Sequence, residues 1–333
     1  MKIHYFSSED WEEAYVQTKL AGDEVTFHDQ PLAAYPDLTD ADATALCVFI
    51  DSPIGKAELE RFPALSLIAT RSTGFDHIDI AAAKERGVAV VTVPSYGENT
   101  VAEFAFALLL SLSRRIPEAE RSVRDGGFSP QGLRGFDLAG KTLGVIGCGR
   151  IGMHLIRMAN GFGMHVIGFE VHPDPKVAAE NNFTFVSFPE LLSTADIISL
   201  HVPYNTHTHH LINKENIGSI KKGSYLINTS RGAVIETEAL VQALQNGTLA
   251  GAGLDVLEEE GELADETVLL SAAHPNEAAL KVTLANHYLI EHPRVIVTPH
   301  LAFNTKEAVT RILDTTIDNI QKFAAGAPTN VVS

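Results

Sequence analysis

The chain has 333 residues, and its 45% hydrophobic and 20% charged content is typical of a globular protein with room for two domains. Its 25 basic and 42 acidic residues give a formal charge of −17, which argues against nucleic acid and anionic membrane surfaces as partners. The longest apolar stretch, residues 101–112, is interrupted by Glu103 and is too short to span a bilayer.

Cysteine content and the N-terminal segment bear on the compartment. Cys47 and Cys148 are the only cysteines, too few for a disulfide framework, which favours a reducing environment. The N-terminal segment turns polar after Phe6, earlier than a signal peptide would. We therefore expect a cytoplasmic protein.

The first hundred residues alternate between short β-branched runs and segments with helical periodicity. This alternation predicts a parallel sheet covered by helices on both faces. A long helix with a wide apolar face is then expected from residue 99 to about residue 121, ending before Asp125. The predicted strands are 2–6, 24–27, 45–50, 66–69 and 88–93, and the predicted helices are 12–20, 56–62 and 80–86.

A glycine-rich turn follows the strand predicted at 143–146. Gly147, Gly149 and Gly152 match G-x-G-x-x-G and lead into a helix predicted at 151–162. The next strand ends at Glu170, about twenty residues after the first glycine, where an acid accepts hydrogen bonds from an adenosine ribose. The pattern predicts dinucleotide binding at the helix N-terminus. An ordinary βαβ turn without a ligand, or a site for another adenosine-bearing cofactor, remains the alternative.

The alternation continues beyond the glycine turn and ends with one more helix, predicted at 305–323. Because a single crossover seldom closes a domain, we expect this helix to pack on the first unit. The predicted strands of the second unit are 143–146, 165–169, 184–186, 197–200, 225–228, 251–256 and 295–298.

These elements predict an α/β fold with two doubly wound parallel-sheet domains. A Rossmann coenzyme domain, residues 100–298, is expected to be inserted into a flavodoxin-like substrate domain. The substrate domain would then consist of residues 1–99 plus 299–333.

Polar residues stand where α/β sheets place functional groups, just after buried strands. Arg231 offers a planar fork for a carboxylate, although a helix cap or a salt bridge explains it equally well. His300 is suited to proton transfer near neutral pH, but with 14 histidines in the chain any single one is more often structural. One acid of a short run would accept a hydrogen bond from an imidazole, and spacing does not say which. The run comprises Glu258, Glu259, Glu260 and Glu262.

Several motifs, in order along nearly the whole chain, resemble the signatures of the D-isomer-specific 2-hydroxyacid dehydrogenases. Tyr96, after Val-Pro-Ser, and Phe303 resemble the branch of fermentative D-lactate dehydrogenases. The motifs are Arg71-Ser-Thr-Gly-Phe-Asp-His-Ile-Asp79, Val93-Pro-Ser-Tyr-Gly-Glu-Asn-Thr-Val-Ala-Glu103, Gly147-Cys-Gly-Arg-Ile-Gly152, Asn228-Thr-Ser-Arg-Gly232, Leu254-Asp-Val-Leu-Glu-Glu-Glu260 and Thr298-Pro-His-Leu-Ala-Phe303.

The resemblance implies roles for the polar residues. Arg231 would bind the substrate carboxylate, His300 would be the acid/base, and Glu260 would be the partner that orients His300. The residues implied in substrate binding are Thr73, Gly74, Tyr96, Arg231 and Phe303.

The same resemblance implies an NAD cofactor. The amides of Arg150 and Ile151 would face its pyrophosphate and Glu170 its ribose. No metal is expected, since the tract from His207 to His210 lacks an accompanying cysteine or carboxylate set and more plausibly forms a polar loop. The remaining implied cofactor contacts are Gly147, Gly149, Gly152, Val202, Pro203, Thr208, Thr229, Ser230 and Asp255.

The implied activity is NADH-dependent reduction of pyruvate to D-lactate by a homodimer. Hydroxypyruvate, glyoxylate and branched or aromatic 2-oxo acids are alternative substrates, and a dinucleotide-sensing regulator similar to the C-terminal-binding corepressors is an alternative function. Two departures from the branch matter. Glu170 stands where aspartate is more usual, and the segment between Glu260 and His300 is longer than expected, which leaves substrate choice open.

Overall fold

A computed structural model describes residues 1–260 and 277–332. The chain divides into two compact units, one formed by Met1–Gly97 with Asn304–Ser333 and the other by Glu98–Phe303. The turn that carries His300 therefore belongs to the second unit, whereas the predicted boundary placed it in the first. Hydrogen bonds from this turn to Asp255, described below, explain the difference. None of the described helices is long and apolar enough to cross a membrane.

The N-terminal part of the first unit has the predicted alternation, with ends that differ from prediction by at most two residues. Leu32–Ala34 adds a short 3-10 turn. The strands and helices are β1 (Lys2–Tyr5), α1 (Asp10–Lys19), β2 (Glu24–Phe27), β3 (Ala45–Val48), α2 (Lys56–Glu60), β4 (Leu67–Thr70), α3 (Ile80–Glu85) and β5 (Ala89–Val91).

The second unit alternates strands and helices around one sheet. The elements are α4 (Glu98–Arg114), α5 (Ile116–Arg124), β6 (Thr142–Ile146), α6 (Arg150–Gly161), β7 (His165–Phe169), α7 (Pro175–Glu180), β8 (Thr184–Phe185), α8 (Phe188–Thr194), β9 (Ile197–Leu200), β10 (Ser224–Asn228), α9 (Thr237–Gln245), β11 (Leu249–Leu254), α10 (Glu277–Glu291) and β12 (Val295–Val297).

The seven strands of this sheet have the order β12-β11-β10-β9-β6-β7-β8, and every pair is parallel. This order places the switch point between β6 and β9, where dinucleotide-binding sheets open a crevice at their carboxyl edge.

The prediction of a single long helix from residue 99 is wrong, because the structure has two helices there, α4 and α5. Arg115 between them is left-handed, with φ of 54°. Pro117 follows closely, and proline both lacks a backbone donor and restricts the residue before it. The carbonyl of Ser113 instead accepts the N–H of Phe136 at 2.9 Å, so a later segment of chain satisfies the end of α4.

Both faces of the second sheet are covered by apolar side chains. On one face, α4 buries Ala105, Leu108 and Leu112 and packs against α6 and β11. Gly253 on β11 makes this approach possible, since a Cβ there would lie 3.0 Å from the Cβ of Leu108. The close packing of α4 keeps the strand ends, and the turns that follow them, in fixed positions.

The chain returns to the first unit with α11 (Lys306–Ala324) and β13 (Val331–Val332). Thr305 caps α11, and Leu313, Ile317 and Ile320 cover one face of the first sheet. The strand order of that sheet is β13-β5-β4-β3-β1-β2, parallel except for β13, which pairs antiparallel with β5. The sequence analysis missed β13, since two residues carry no periodicity.

A buried ion pair holds together the carboxyl edge of the first sheet. Arg71, directly after β4, contacts the Glu12 carboxylate of α1 at 2.9 Å. Its guanidinium also donates to the carbonyls of Phe6 and Ser7, at 2.6 and 2.9 Å, and stacks on Tyr5. Both charged side chains are about 5% exposed, so each depends on the other for compensation of its charge.

Arg71→Met leaves the Glu12 carboxylate buried without its partner, and we expect it to lower the free energy of unfolding by about 3–5 kcal/mol. Arg71→Met combined with Glu12→Leu replaces both charges by apolar side chains and should recover part of that loss. Denaturant unfolding followed by the fluorescence of Trp11, the only tryptophan and a residue of the same unit, measures both changes. A double variant as unstable as the single one would contradict the prediction.

Candidate active site

The glycine turn after β6 is compact because two of its glycines exclude any side chain. Gly147 has φ of 90°, and a Cβ there would lie 2.5 Å from the carbonyl oxygen of His201. A Cβ at Gly152 would lie 2.2 Å from the carbonyl oxygen of Gly147. Gly149 is the N-cap of α6, makes no side-chain cap and has open space around it. The turn therefore leaves the start of α6 accessible to an anion.

Glu170 lies at the end of β7, beside this turn. Its Oε2 accepts the backbone N–H of Cys148 at 3.1 Å, and its Oε1 accepts that of Val171 at 3.0 Å. These two bonds point the carboxylate along the glycine turn. The side chain of Arg150 pairs with Glu98 at 3.2 Å, which leaves the predicted pyrophosphate contact to its amide.

The loop after β9 contains Val202, Pro203 and Thr208. The hydroxyl of Thr208 donates to the carbonyl of Pro203 at 2.6 Å and accepts the N–H of Asn205 at 2.8 Å, so it closes its own loop. At the start of the loop, His201 shares a hydrogen bond with Ser199 at 2.8 Å. Burial lowers the pKa of His201 to about 4, so this ring is neutral at physiological pH.

The turn after β10 presents Arg231, and Asn228 holds it. The side-chain oxygen of Asn228 accepts the N–H of Ser230 at 3.0 Å, and its amide donates to the carbonyl of Arg231 at 2.9 Å. Ser230 Oγ donates to Leu200, at the end of β9. The Thr229 hydroxyl is buried and has no hydrogen-bond partner among residues 1–260 and 277–332. The sequence analysis missed the role of Asn228; a buried amide at a strand end, just before Thr-Ser-Arg, was the available signal.

Asp255, at the end of β11, anchors the turn that carries His300. Its carboxylate accepts the Thr298 hydroxyl at 2.6 Å and the N–H groups of Leu301 and Ala302 at 3.0 and 2.8 Å. His300 itself has φ of 50°. This left-handed conformation is unfavourable for a non-glycine residue and persists only where the surrounding contacts impose it. Burial raises the pKa of the Asp255 carboxyl, and the three hydrogen bonds oppose that rise.

His300 faces one acid of the run that the sequence left unresolved. Its Nδ1 lies 2.7 Å from Glu260 Oε1, while Glu260 Oε2 accepts the N–H of Leu257 at 3.2 Å. Glu258 turns instead to His210, at 2.7 Å, and Glu262 lies outside the described residues. The imidazole is about 20% exposed, and because Nδ1 contacts Glu260, Nε2 is the ring nitrogen left for proton transfer to a substrate.

Gly232 brings the Arg231 turn against the segment that carries Glu260. A Cβ at this glycine would lie 1.9 Å from the carbonyl carbon of Leu257 and 2.2 Å from the amide nitrogen of Glu258. Only glycine permits two backbones to approach so closely. Arg231, Glu260 and His300 are thus supported by turns at the carboxyl ends of β10, β11 and β12.

The remaining predicted substrate residues are divided between the units. In the first unit, Thr73 Oγ1 donates to the carbonyl of Val93 at 2.7 Å, and Ser72 donates to the carbonyl of Gly74 at 2.6 Å. Tyr96 is half-buried there, with its carbonyl bound by Arg311. Phe303 is half-buried in the second unit.

The second unit fits a dinucleotide. The accessible start of α6 suits a pyrophosphate, the Glu170 carboxylate suits a ribose, and the unpaired Thr229 hydroxyl provides a further polar contact. Within residues 1–260 and 277–332, no three histidine, cysteine or acidic side chains cluster as metal ligands would.

Comparisons with known proteins agree with this geometry. Residues 106–302 match the family model for the NAD-binding domain of the D-isomer specific 2-hydroxyacid dehydrogenases. The D-lactate dehydrogenase of Escherichia coli is 36% identical over 330 residues, 98% of both chains. An aromatic 2-oxoacid reductase of Clostridium sporogenes is 41% identical over 260 residues, 78% of this chain and 76% of that one.

A solved structure extends the agreement to the whole fold. The D-lactate dehydrogenase of Aquifex aeolicus, complexed with NAD and lactic acid, superposes with a TM-score of 0.87 at 34% identity. The match covers 98% of this chain and 96% of that one. The chain belongs to the D-isomer specific 2-hydroxyacid dehydrogenases, with the NAD-binding domain of that family, and is an oxidoreductase acting on the CH–OH group.

Proposed function

We propose that this enzyme is a D-lactate dehydrogenase, which reduces pyruvate to D-lactate with NADH. The observation that carries the proposal is the pair of His300 and Glu260, a proton donor and its carboxylate partner 2.7 Å apart. The choice of pyruvate is supported by the two relatives named D-lactate dehydrogenase, each aligned over nearly the whole chain.

The side chains of the site divide the reaction among them. Bound NADH would supply the hydride that reduces C2 of the 2-oxo acid. The planar guanidinium of Arg231 binds the substrate carboxylate through two hydrogen bonds. His300 holds its Nδ1 proton against Glu260, so Nε2 donates its proton to the carbonyl oxygen as the alcohol forms. In lactate oxidation, the same Nε2 accepts the hydroxyl proton.

The proposed cofactor contacts use the groups that the hydrogen bonds described above hold in place. The amides of Arg150 and Ile151 bind the pyrophosphate together with the turn of Gly147, Gly149 and Gly152. Glu170 accepts the ribose hydroxyls. Asp255 acts by holding the His300 turn, since its oxygens already accept three hydrogen bonds. The lining of the rest of the cofactor site is assigned to Val202, Pro203, Thr208, Thr229 and Ser230.

The substrate pocket determines which 2-oxo acid is used. We assign Tyr96 and Phe303 to contacts with the C3 methyl group of pyruvate. We assign Thr73 and Gly74 to contacts with the 2-oxo acid group that all these substrates share. Added methylenes packed against an aromatic side chain without room for them cost about 1–3 kcal/mol. The Clostridium sporogenes relative named as an aromatic 2-oxoacid reductase keeps larger acids as the alternative, beside hydroxypyruvate and glyoxylate.

A homodimer formed through the second unit is part of the proposal. No residue of α5 is buried, and Ile116, Val123 and Phe128 are exposed, the last at 94%. Apolar side chains grouped in this way mark a surface that a second copy of the chain would cover. The cytoplasm remains the predicted compartment.

Pyruvate should outperform branched and aromatic 2-oxo acids in a panel followed by NADH oxidation, with a product that only a D-lactate-specific enzyme reoxidises. Tyr96→Ala should shift preference towards longer side chains, because it removes one aromatic wall, and should leave the KM for NADH unchanged. Faster turnover of phenylpyruvate or 2-oxoisocaproate than of pyruvate would leave the family intact and refute the lactate assignment.

His300→Gln should lower kcat by roughly 10²–10⁴ while NADH binding, measured by titration, stays near that of the unmodified enzyme. Glutamine keeps a polar side chain of similar size but does not donate a proton in this way. His165→Gln, an exposed histidine at the start of β7, is the matched control and should turn over normally. Near-normal kcat in His300→Gln would remove this residue from the mechanism.

NADH should be preferred over NADPH, because the Glu170 carboxylate repels a 2′-phosphate. Glu170→Gln keeps an acceptor for the Cys148 N–H and removes the charge. It should therefore lower the ratio of kcat/KM with NADH to kcat/KM with NADPH by at least about tenfold, or 1.4 kcal/mol. Glu180→Gln, exposed on α7, should leave the ratio unchanged. Equal use of both coenzymes by the unmodified enzyme would refute the role of Glu170.

A further inference from the structure

Glu258 makes more hydrogen bonds than Glu260, the acid that contacts His300. Its Oε1 accepts from His210 Nε2 at 2.7 Å, and its Oε2 accepts from the hydroxyl and the N–H of Thr237 at 2.7 and 3.2 Å. Both carboxylate oxygens are therefore occupied, by the loop after β9 and by the first residue of α9. The side chain is about 12% exposed, which strengthens these charge-assisted bonds.

The backbone of Glu258 is fixed as well. Its carbonyl accepts the side-chain amide of Asn286, a fully buried residue of α10, at 2.7 Å. Gly232 also packs directly on the peptide bond between Leu257 and Glu258. Side chain and backbone together tie this one residue to four separate parts of the second unit.

Glu260, two residues later, makes fewer hydrogen bonds to the described residues than Glu258 does. Its side chain is about 41% exposed and contacts His300 and the N–H of Leu257. Glu259 between them has φ of 54°, a left-handed conformation that is unfavourable for a non-glycine residue. Such a conformation persists only where neighbouring contacts impose it. The contacts of Leu257 and Glu258 fix the backbone immediately before this residue.

We propose that Glu258 is a positioning residue for the reaction, whose contacts with His210, Thr237 and Asn286 set the backbone that places Glu260 against His300. The proposal rests on the roles of Glu260 and His300 proposed above. The acids of the run then have separate tasks: Glu260 contacts the imidazole, and Glu258 determines where Glu260 lies. Through His210, the same carboxylate also joins Glu260 to the loop that contains Thr208.

Glu258→Ala should lower kcat by between about 10-fold and 100-fold, the scale expected when a reacting group is displaced by about 1 Å, and change the KM for NADH less than twofold. Glu258→Gln should restore most of kcat, since its oxygen still accepts from Thr237 and its amide can donate to the other tautomer of His210. Glu236→Ala is the matched control. It removes the bonds between Lys214 and the residue preceding α9, a similar link from loop to helix that does not involve residues 257–260.

A double-mutant cycle separates positioning from general stability. If Glu258 acts through Glu260, Glu258→Ala should have little further effect on kcat in a Glu260→Gln background. An equal loss of kcat on Glu258→Ala in the unmodified and the Glu260→Gln enzymes would overturn the role of Glu258, and so would a loss in Glu236→Ala as large as in Glu258→Ala. Either result would leave the proposed roles of Glu260 and His300 standing. Unchanged kcat in Glu260→Gln by itself would overturn the proposed role of Glu260, and the inference with it.

Discussion

The buried carboxylate of Asp255 is the interaction on which the reactive part of this molecule depends. Two backbone N–H groups and one hydroxyl converge on it, and all three belong to the turn around His300. A turn that holds a histidine in a left-handed conformation does not persist without such support. Because Asp255 directly follows β11, the position of the imidazole is set by the sheet and not by the turn's own residues.

The same unit uses direct backbone contact to bring its reactive side chains together. Gly232 against Leu257 and Glu258, and Gly147 against His201, are approaches that any Cβ would prevent. Each joins turns that follow different strands, so these turns are in direct backbone contact at the carboxyl edge of the sheet. In this arrangement, precision at the site comes from the absence of side chains at two positions as much as from the side chains present.

Most of the fold is predictable from the sequence, because strands and helices of ordinary length carry a periodic signal over several turns or residue pairs. Three features lie below that signal. The division at Arg115 depends on one left-handed residue, β13 is two residues long, and the choice among Glu258, Glu259 and Glu260 depends on directions that neighbours in sequence do not reveal. Asn228 escaped notice for a similar reason: its partners are backbone groups, which every sequence contains.

The assembly of the first unit from both ends of the chain has a consequence for synthesis. Residues 98–303 form a unit that is continuous in sequence, and we expect it to fold around its own core as it leaves the ribosome. The parallel strands of the first unit lie within residues 2–91, and the face that Val16 and Leu20 help to cover lacks Leu313, Ile317 and Ile320 until α11 is synthesised. During the translation of some two hundred residues, Ile3, Leu67 and Val91 lack part of their apolar cover, and we expect the first unit to be most prone to aggregation in this interval.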